Sequence, residues 1–144
     1  MKKSGMINTA IVLVFIVVAA LGCNFSTVNM SSLKTFTDEA GKTEATNFKA
    51  GDTIYGKAQI SNNPGKVTVK MSLAADDAKG MTKGETIKGS EVTVNLDGDG
   101  VAIYTLPIPS SAPAGTYNFN ADLINEAGEK KDGKTTALSI TAGR

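Results

Sequence analysis

The chain has 144 residues, of which 41% are hydrophobic and 20% charged, and its 15 basic residues nearly balance its 14 acidic ones. This length accommodates one domain with a short appendage, and the near-neutral charge excludes the concentrated basic surface that nucleic-acid binding requires. The sequence has no histidine and one cysteine, Cys23, which excludes histidine-based catalytic dyads, histidine zinc ligands and an intramolecular disulfide. We therefore expect a protein that is not an enzyme and needs no cofactor.

The N-terminus has the pattern of a secretory signal peptide. Residues 1–9 are positively charged, and residues 10–22, AIVLVFIVVAALG, form an apolar run without a charge. A signal peptide needs an apolar core of about 7 to 15 residues, whereas a membrane-spanning helix needs about 20. The pattern predicts a signal peptide at residues 1–22. A retained transmembrane helix, with the run extended to Met6 and Ile7, is the alternative.

Cys23 directly follows the expected cleavage site, where Ala20 and Gly22 supply the small residues that signal cleavage requires. The segment resembles the signal of bacterial lipoproteins, in which a small residue precedes the lipid-modified cysteine. The resemblance implies a diacylglyceryl group on Cys23 and often a further acyl chain such as palmitate. Two or three acyl chains give stable anchoring. A secreted protein with an incidental cysteine is the alternative.

Beyond about residue 26, the apolar run gives way to the period-two alternation that half-buried strands produce. Turn signals rich in Gly, Pro, Asn and Asp separate the alternating segments. The sequence therefore predicts an all-β, antiparallel β-sandwich of about seven strands, at residues 29–37, 52–61, 65–74, 91–96, 100–107, 115–125 and 135–141.

Position within the sheets is predicted for two of these strands. Residues 29–37 are the least regular and are expected at an edge, whereas residues 100–107, GVAIYTLP, are apolar on both faces and are expected to be central. Residues 34–51 are polar and threonine-rich, and are interpreted as a long connection. The inward-facing positions are predicted to include Ile54, Gly56, Ala58, Ile60, Val67, Val69, Met71, Leu73, Val92, Val94, Leu96, Tyr117, Phe119, Ala121, Leu123, Leu138 and Ile140.

The segment NLDGDG, residues 95–100, places Asn95, Asp97 and Asp99 on alternate positions, as the opening of a calcium-binding loop does. The twelfth position of that pattern should be a glutamate, and it is Leu106. A hairpin turn, in which glycine supplies a positive φ, is the preferred interpretation. Weak adventitious calcium binding is the alternative, and no metal site is predicted.

Two charged segments are interpreted as exposed. Residues 79–89, KGMTKGETIKG, are rich in glycine and lysine and are predicted to form a loop at one end of the sandwich, where a partner would bind. Residues 125–134 mix both signs of charge, and are predicted to form a hairpin that discourages edge pairing.

The segment PAGTYNF, residues 113–119, resembles the penultimate strand of immunoglobulin-like domains, in which a glycine precedes a tyrosine by two positions. The resemblance implies that Tyr117 is a tyrosine corner whose hydroxyl bonds back to the backbone, and that Phe119 takes the place of the disulfide cysteine of antibody domains. It extends as a strand pattern over residues 28–142, and it is to bacterial immunoglobulin-like or fibronectin-III-like modules in general.

Together these patterns divide the chain into a lipoprotein signal peptide (1–22), an anchor, tether and first edge strand (23–37), and an immunoglobulin-like sandwich (38–144). The expected protein is a non-catalytic binding or spacer module held at the membrane surface of the cell envelope, in the outer membrane by default in a Gram-negative host. Its expected partners are the membrane, through the lipid anchor, and an envelope protein or polysaccharide. The alternative is a secreted structural subunit that assembles into a fibre or surface layer, with residues 24–37 as an exchanging strand.

Overall fold

The computed structural model describes residues 27–143, so the predicted signal peptide, Cys23 and the first residues of the tether lie outside the described range. The described residues include no helix that could cross a membrane. They form eight strands: β1 (Asn29–Phe36), β2 (Asn47–Lys49), β3 (Thr53–Ser61), β4 (Lys66–Ala78), β5 (Val92–Asp97), β6 (Gly100–Pro107), β7 (Gly115–Asn125) and β8 (Lys130–Thr141).

The strands are arranged in two sheets that enclose one core. The three-stranded sheet has the order β1-β3-β6, and the five-stranded sheet has the order β2-β8-β7-β4-β5. Every pair is antiparallel except β2–β8, which is parallel. The predicted all-β sandwich is therefore confirmed, with one strand more than the sequence pattern indicated.

Period-two alternation determines which side chains enter the core. On β3, on β7 from Tyr117 to Leu123 and on β4 as far as Leu73, every second residue is buried, in the phase that the sequence predicts. On β8 only the predicted Leu138 and Ile140 are buried. On β5 the phase is also as predicted, but Val92, Val94 and Leu96 are only half-buried, because β5 is an edge strand. The buried set is completed by side chains that the pattern did not assign, among them Met30, Leu33, Phe48, Ala102 and Tyr104.

Gly56 on β3 lets the two sheets meet closely at the centre of the sandwich. A Cβ atom at this position would lie 2.5 Å from Cζ of Phe119 on β7 and 3.1 Å from Cβ of Tyr104 on β6. The rings of Tyr104 and Phe119 pack with their centroids 4.7 Å apart and their planes tilted by 47°. Such an aromatic pair contributes about 0.5–1.5 kcal/mol beyond the area that it buries.

The prediction that residues 100–107 form a central strand is wrong. β6 is an edge of the three-stranded sheet, and although Ala102 and Tyr104 point into the core, the outward-facing Val101 and Ile103 are 39% and 46% exposed. An apolar run on both faces does not distinguish a strand covered on two sides from an edge strand whose solvent face happens to be apolar.

The polar stretch 34–51, interpreted as a connection, contains the end of β1 and the short strand β2. Phe48 of β2 is buried and pairs with Ile140 of β8. Three residues with one inward side chain are too short for a period to be visible, which is why the sequence pattern missed this strand. β4 and β8 also extend beyond their predicted limits, to Ala78 and from Lys130.

The DGDG segment does not form the predicted hairpin turn, because β5 and β6 belong to different sheets. The chain passes from the five-stranded sheet to the three-stranded sheet at Gly98, which has a φ of +83°. The backbone N–H of Asn63 donates to Oδ1 of Asp99 at 2.7 Å, and the Asn63 side chain donates to the Gly98 carbonyl at 2.6 Å. These bonds join the β3–β4 and β5–β6 connections at one end of the sandwich.

The sandwich therefore has two distinct ends. At the end that we call proximal, residues 27 and 28 lie beside residues 63–67 and 125–127. At the other, distal end, Gly51 donates a backbone hydrogen bond to Ile108, Lys79 donates one to Ala114, and Gly143 lies near the carbonyl oxygens of residues 50 and 110. The long 79–91 connection is thus located away from the start of the described chain.

We expect Gly56→Ala to lower the free energy of unfolding by about 1–3 kcal/mol, because the added methyl group must displace the Phe119 ring within a packed core. Urea unfolding followed by circular dichroism measures the change. Gly65→Ala is the matched control, since nothing lies within 4 Å of a Cβ atom at that position. Equal unfolding midpoints for Gly56→Ala and the unmodified protein would contradict the close approach of the sheets.

Candidate functional site

An apolar cleft opens at the distal end, between the 79–91 connection and the β6–β7 connection. Its volume is about 480 Å³, which lies within the range of about 300–1,000 Å³ that small-molecule sites occupy. Met81, Ile87, Leu106 and Ala112 are only partly buried, so their apolar surface remains accessible. The lining is completed by Leu73, Lys79, Gly80, Lys88, Gly89, Pro107, Ile108, Pro109, Ser111, Pro113, Tyr117 and Ile140. We call this site the distal cleft.

The 79–91 connection forms one wall of the distal cleft and is held on the free edge of β4. β5 pairs with β4 only as far as Met71, and the connection takes over the hydrogen bonding beyond that point. Ile87 N–H donates to the Leu73 carbonyl at 2.8 Å, and Ala75 exchanges backbone hydrogen bonds with Glu85 and Gly84 at 2.9 and 2.7 Å. The predicted exposed loop is therefore tied to the sheet at several points.

Ser90 and Tyr104 fix the end of this connection from inside the protein. Ser90 is fully buried, and its Oγ accepts the Leu73 N–H at 3.0 Å while its hydroxyl donates to the Leu73 carbonyl at 3.2 Å. The Tyr104 hydroxyl crosses the core and donates to the Ser90 carbonyl at 2.9 Å. Burial raises the pKa of Tyr104 well above its ordinary value, so this phenol remains a neutral donor.

The opposite wall is the β6–β7 connection, and Tyr117 braces it. The Tyr117 hydroxyl donates to the Pro113 carbonyl at 2.6 Å, the contact of a tyrosine corner, and burial raises the pKa of this phenol. Ile108 donates to the Asp52 carbonyl at 2.7 Å, which attaches the connection to the β2–β3 turn. Both walls of the cleft are therefore fixed by the core.

The lysines of the 79–91 connection differ in whether they form an ion pair. Nζ of Lys83 lies 2.9 Å from Oδ1 of Asp76. This hydrogen-bonded ion pair lowers the pKa of Asp76 and raises the pKa of Lys83. Lys79 and Lys88, which line the cleft, are exposed and form no ion pair within residues 27–143. The mouth of the apolar cleft therefore has two exposed lysines that form no ion pair with the residues that the structure describes.

Two of the three candidate calcium ligands, Asn95 and Asp99, accept hydrogen bonds from other residues. The Asn95 side chain accepts a hydrogen bond from Thr68 Oγ1 at 2.9 Å, and Asp99 accepts the backbone N–H of Asn63, while Asp97 is exposed at the end of β5. Within the described part of the chain, no group of three His, Cys, Asp or Glu side chains could hold a metal ion. Cys23, the predicted lipid attachment site, lies outside that part.

Sequence reasoning singled out the 79–89 segment but missed the apolar side chains that make it part of a cleft. Met81 and Ile87 stand alone among glycines, lysines and threonines, and Ile108 stands between two prolines. An isolated large apolar residue inside a polar connection is the available signal, because such a residue in a loop usually folds back onto other apolar surface.

No protein-family model matches the sequence, and no curated protein is similar to it. Among solved structures, alkylpurine DNA glycosylase AlkC from Pseudomonas fluorescens is 10% identical, with a TM-score of 0.53 over 81% of this chain and 31% of that one. The C-terminal domain of wzt is 9% identical, with a TM-score of 0.50 over 83% of this chain and 76% of that one. The immunoglobulin-like protein PA1606 from Pseudomonas aeruginosa is 10% identical, with a TM-score of 0.44 over 79% of this chain and 96% of that one.

At these identities the similarity concerns the fold alone. The chain spans less than a third of the length of the enzymes that it matches, 31% in the case of the glycosylase. The two packed sheets form an all-β sandwich, and the Tyr117 hydroxyl makes the backbone hydrogen bond that is expected of a tyrosine corner.

We expect Ser90→Ala to destabilise the protein by about 1–3 kcal/mol, because the substitution leaves the buried Leu73 N–H without a partner. Urea unfolding measures the loss, and hydrogen exchange should show faster opening of residues 79–91. Ser72→Ala on the outer face of the same strand is the control. A Ser90→Ala protein with normal stability and normal exchange in this segment would rule out a bracing role for Ser90.

Proposed function

We propose that the protein is a lipid-anchored component of a bacterial cell envelope, and that its sandwich is a non-catalytic binding module that presents the distal cleft away from the membrane. The observation that carries the proposal is the position of the described N-terminus. Residues 27 and 28 lie at the proximal end, and the distal cleft lies at the other.

The tether between the anchor and the sandwich is short. Cys23 precedes Thr27 by four residues, and an extended chain of that length spans at most roughly 14 Å. A diacylglyceryl group on Cys23 would therefore hold the proximal end close to the bilayer surface. The lipid anchor and the envelope location rest on the resemblance of residues 1–23 to a lipoprotein signal.

The tether leads directly into the folded core, which supports an anchored module with a defined orientation. Met30, at the start of β1, is buried, and its backbone N–H donates to Oδ2 of Asp132 on β8 at 2.8 Å. This hydrogen bond holds the pKa of the Asp132 carboxyl below its ordinary value. β1 is thereby fixed to both sheets within a few residues of the proposed anchor.

We expect the protein recovered from the membrane fraction of its host to have the intact mass of residues 23–144 plus acyl groups. The Cys23→Ser variant should lose the acyl mass and either remain unprocessed or leave the membrane fraction, because no sulfur is available for lipid attachment. Ser26→Ala, which lies beyond the cleavage site, is the control and should be processed normally. Residues 23–144 without acyl groups in the soluble fraction would contradict anchoring, and a full-length mass would indicate a retained helix.

A second candidate function, assembly into a fibre or surface layer, is favoured by one feature of the edge strands. β6 carries no charged residue over Gly100–Pro107 and exposes Val101 and Ile103. β1, by contrast, carries Lys34 and an irregularity between Met30 and Ser32, both of which discourage strand addition.

In this candidate, two copies of the chain pair through β6 in an antiparallel arrangement, and the closed dimer that results is the building block of the assembly. Pairing at β6 leaves the core intact, whereas the exchange of residues 24–37 suggested by the sequence would withdraw the buried side chains of Met30, Leu33 and Phe36. Edge pairing at β6 is therefore the better form of the assembly hypothesis.

If the protein assembles in this way, Ile103→Lys should shift it toward the monomer, because a lysine at the pairing edge adds charge and repulsion between copies. Sedimentation velocity over a range of concentrations measures the change. Ser31→Lys, which places the same charge on the opposite edge of the same sheet, should leave association unchanged. A protein that remains monomeric at the highest concentration reached would eliminate this candidate.

A further inference from the structure

We propose that the distal cleft binds the hydrocarbon chain of a free, single-chain amphiphile with an anionic head group, of which a fatty acid is the simplest example. The inference depends on the proposed function in one respect, the orientation of the cleft away from the membrane. Its three supports are the apolar lining, the small number of polar side chains in the walls and the two lysines at the mouth.

The walls of the cleft offer little to a hydroxyl-rich ligand. Apart from the two lysines, only Ser111 and Tyr117 among the lining side chains carry polar groups, and the Tyr117 hydroxyl already donates to Pro113. A site that recognises a sugar needs several side-chain donors and acceptors for its hydroxyls. The lining instead favours an apolar chain, whose burial is favourable in proportion to its area. A polysaccharide is thus a poor match for this site.

The mouth of the cleft favours an anionic head group. Lys79 and Lys88 are exposed and both line the cleft, and neither forms an ion pair with the residues described. Lys83, in the same 79–91 connection, does not line the cleft and is paired with Asp76. A carboxylate at the mouth would accept charge-assisted hydrogen bonds from the two ammonium groups.

The position of the cleft favours a free amphiphile over a lipid that remains in the bilayer. If the proximal end is anchored as proposed, the cleft opens at the opposite end of the sandwich. The hydrocarbon chain of a phospholipid in the same leaflet would have to leave the membrane entirely to reach it.

Photo-crosslinking of the full chain in phosphatidylcholine nanodiscs tests the proposal. The probes are palmitate and hexadecanol that each carry a diazirine on the hydrocarbon chain, with a diazirine-bearing phosphatidylglycerol in the bilayer as the third arm. After illumination, mass spectrometry locates the labelled peptides. We expect palmitate to label segments 79–91 and 106–113 in a saturable manner, and to do so more strongly than hexadecanol.

Two variants separate the head-group contribution from the hydrocarbon contribution. Lys79→Gln combined with Lys88→Gln should reduce palmitate labelling about 3- to 10-fold and leave hexadecanol labelling unchanged, as the loss of two exposed charge contacts predicts. Ile87→Glu should reduce labelling by both probes. Urea unfolding checks that Ile87→Glu is folded, and Met81→Glu replaces it if it is not.

Three results would overturn the proposal: labelling spread over the surface without saturation, equal labelling by palmitate and hexadecanol in the unmodified protein, or labelling of the cleft by the bilayer phosphatidylglycerol instead of free palmitate. The mass of the peptide that contains Cys23 reports anchoring in the same experiment. Failure of the anchoring proposal and failure of the ligand-binding proposal are therefore observed on different peptides. If the chain proves to be unanchored, the two free probes are applied in solution.

Discussion

The hydrogen bond from Tyr104 to Ser90 connects the centre of the sandwich to the wall of the distal cleft. The Tyr104 ring packs on Phe119 in the space that Gly56 leaves open, so its position depends on the close approach of the two sheets. Its hydroxyl then holds Ser90, and Ser90 holds Leu73. Because the Leu73 side chain also lines the cleft, the shape of the cleft depends on packing in the core. Pre-organisation of this kind reduces the cost of ordering a site when a ligand binds.

Much of this fold is evident in the sequence, because period two is a direct consequence of strand geometry. The alternation at Val67, Val69 and Met71 requires only that one face of β4 be buried, and it predicts that face correctly. It carries no information about which strand lies beside which. Two features depend on pairing between distant segments: β6 is an edge strand, and the chain changes sheets at Gly98. A single sequence does not encode such pairing locally.

The distal cleft was less predictable than the strands, for a related reason. Its lining comes from β4, from two connections, and from the ends of β6, β7 and β8, so no contiguous stretch of sequence contains it. The 79–89 segment was recognisable by its composition, and Tyr117 by the resemblance of residues 113–119 to an immunoglobulin-like strand. The contribution of Ile108 and Leu106 becomes apparent only when the sheets are packed.

The location of the two ends of the described chain at opposite ends of the sandwich has a mechanical consequence. The described chain begins at the proximal end and finishes at the distal end, so a pulling force between its two ends acts along the strand axes. Such a force pulls β1 and β8 in opposite directions along their axes. It therefore applies a shear load to three hydrogen-bond ladders, β1–β3, β7–β8 and the short β2–β8. Hydrogen bonds loaded in shear must break together, whereas bonds that are peeled apart break one at a time. The topology therefore gives a module that resists extension along its strand axes.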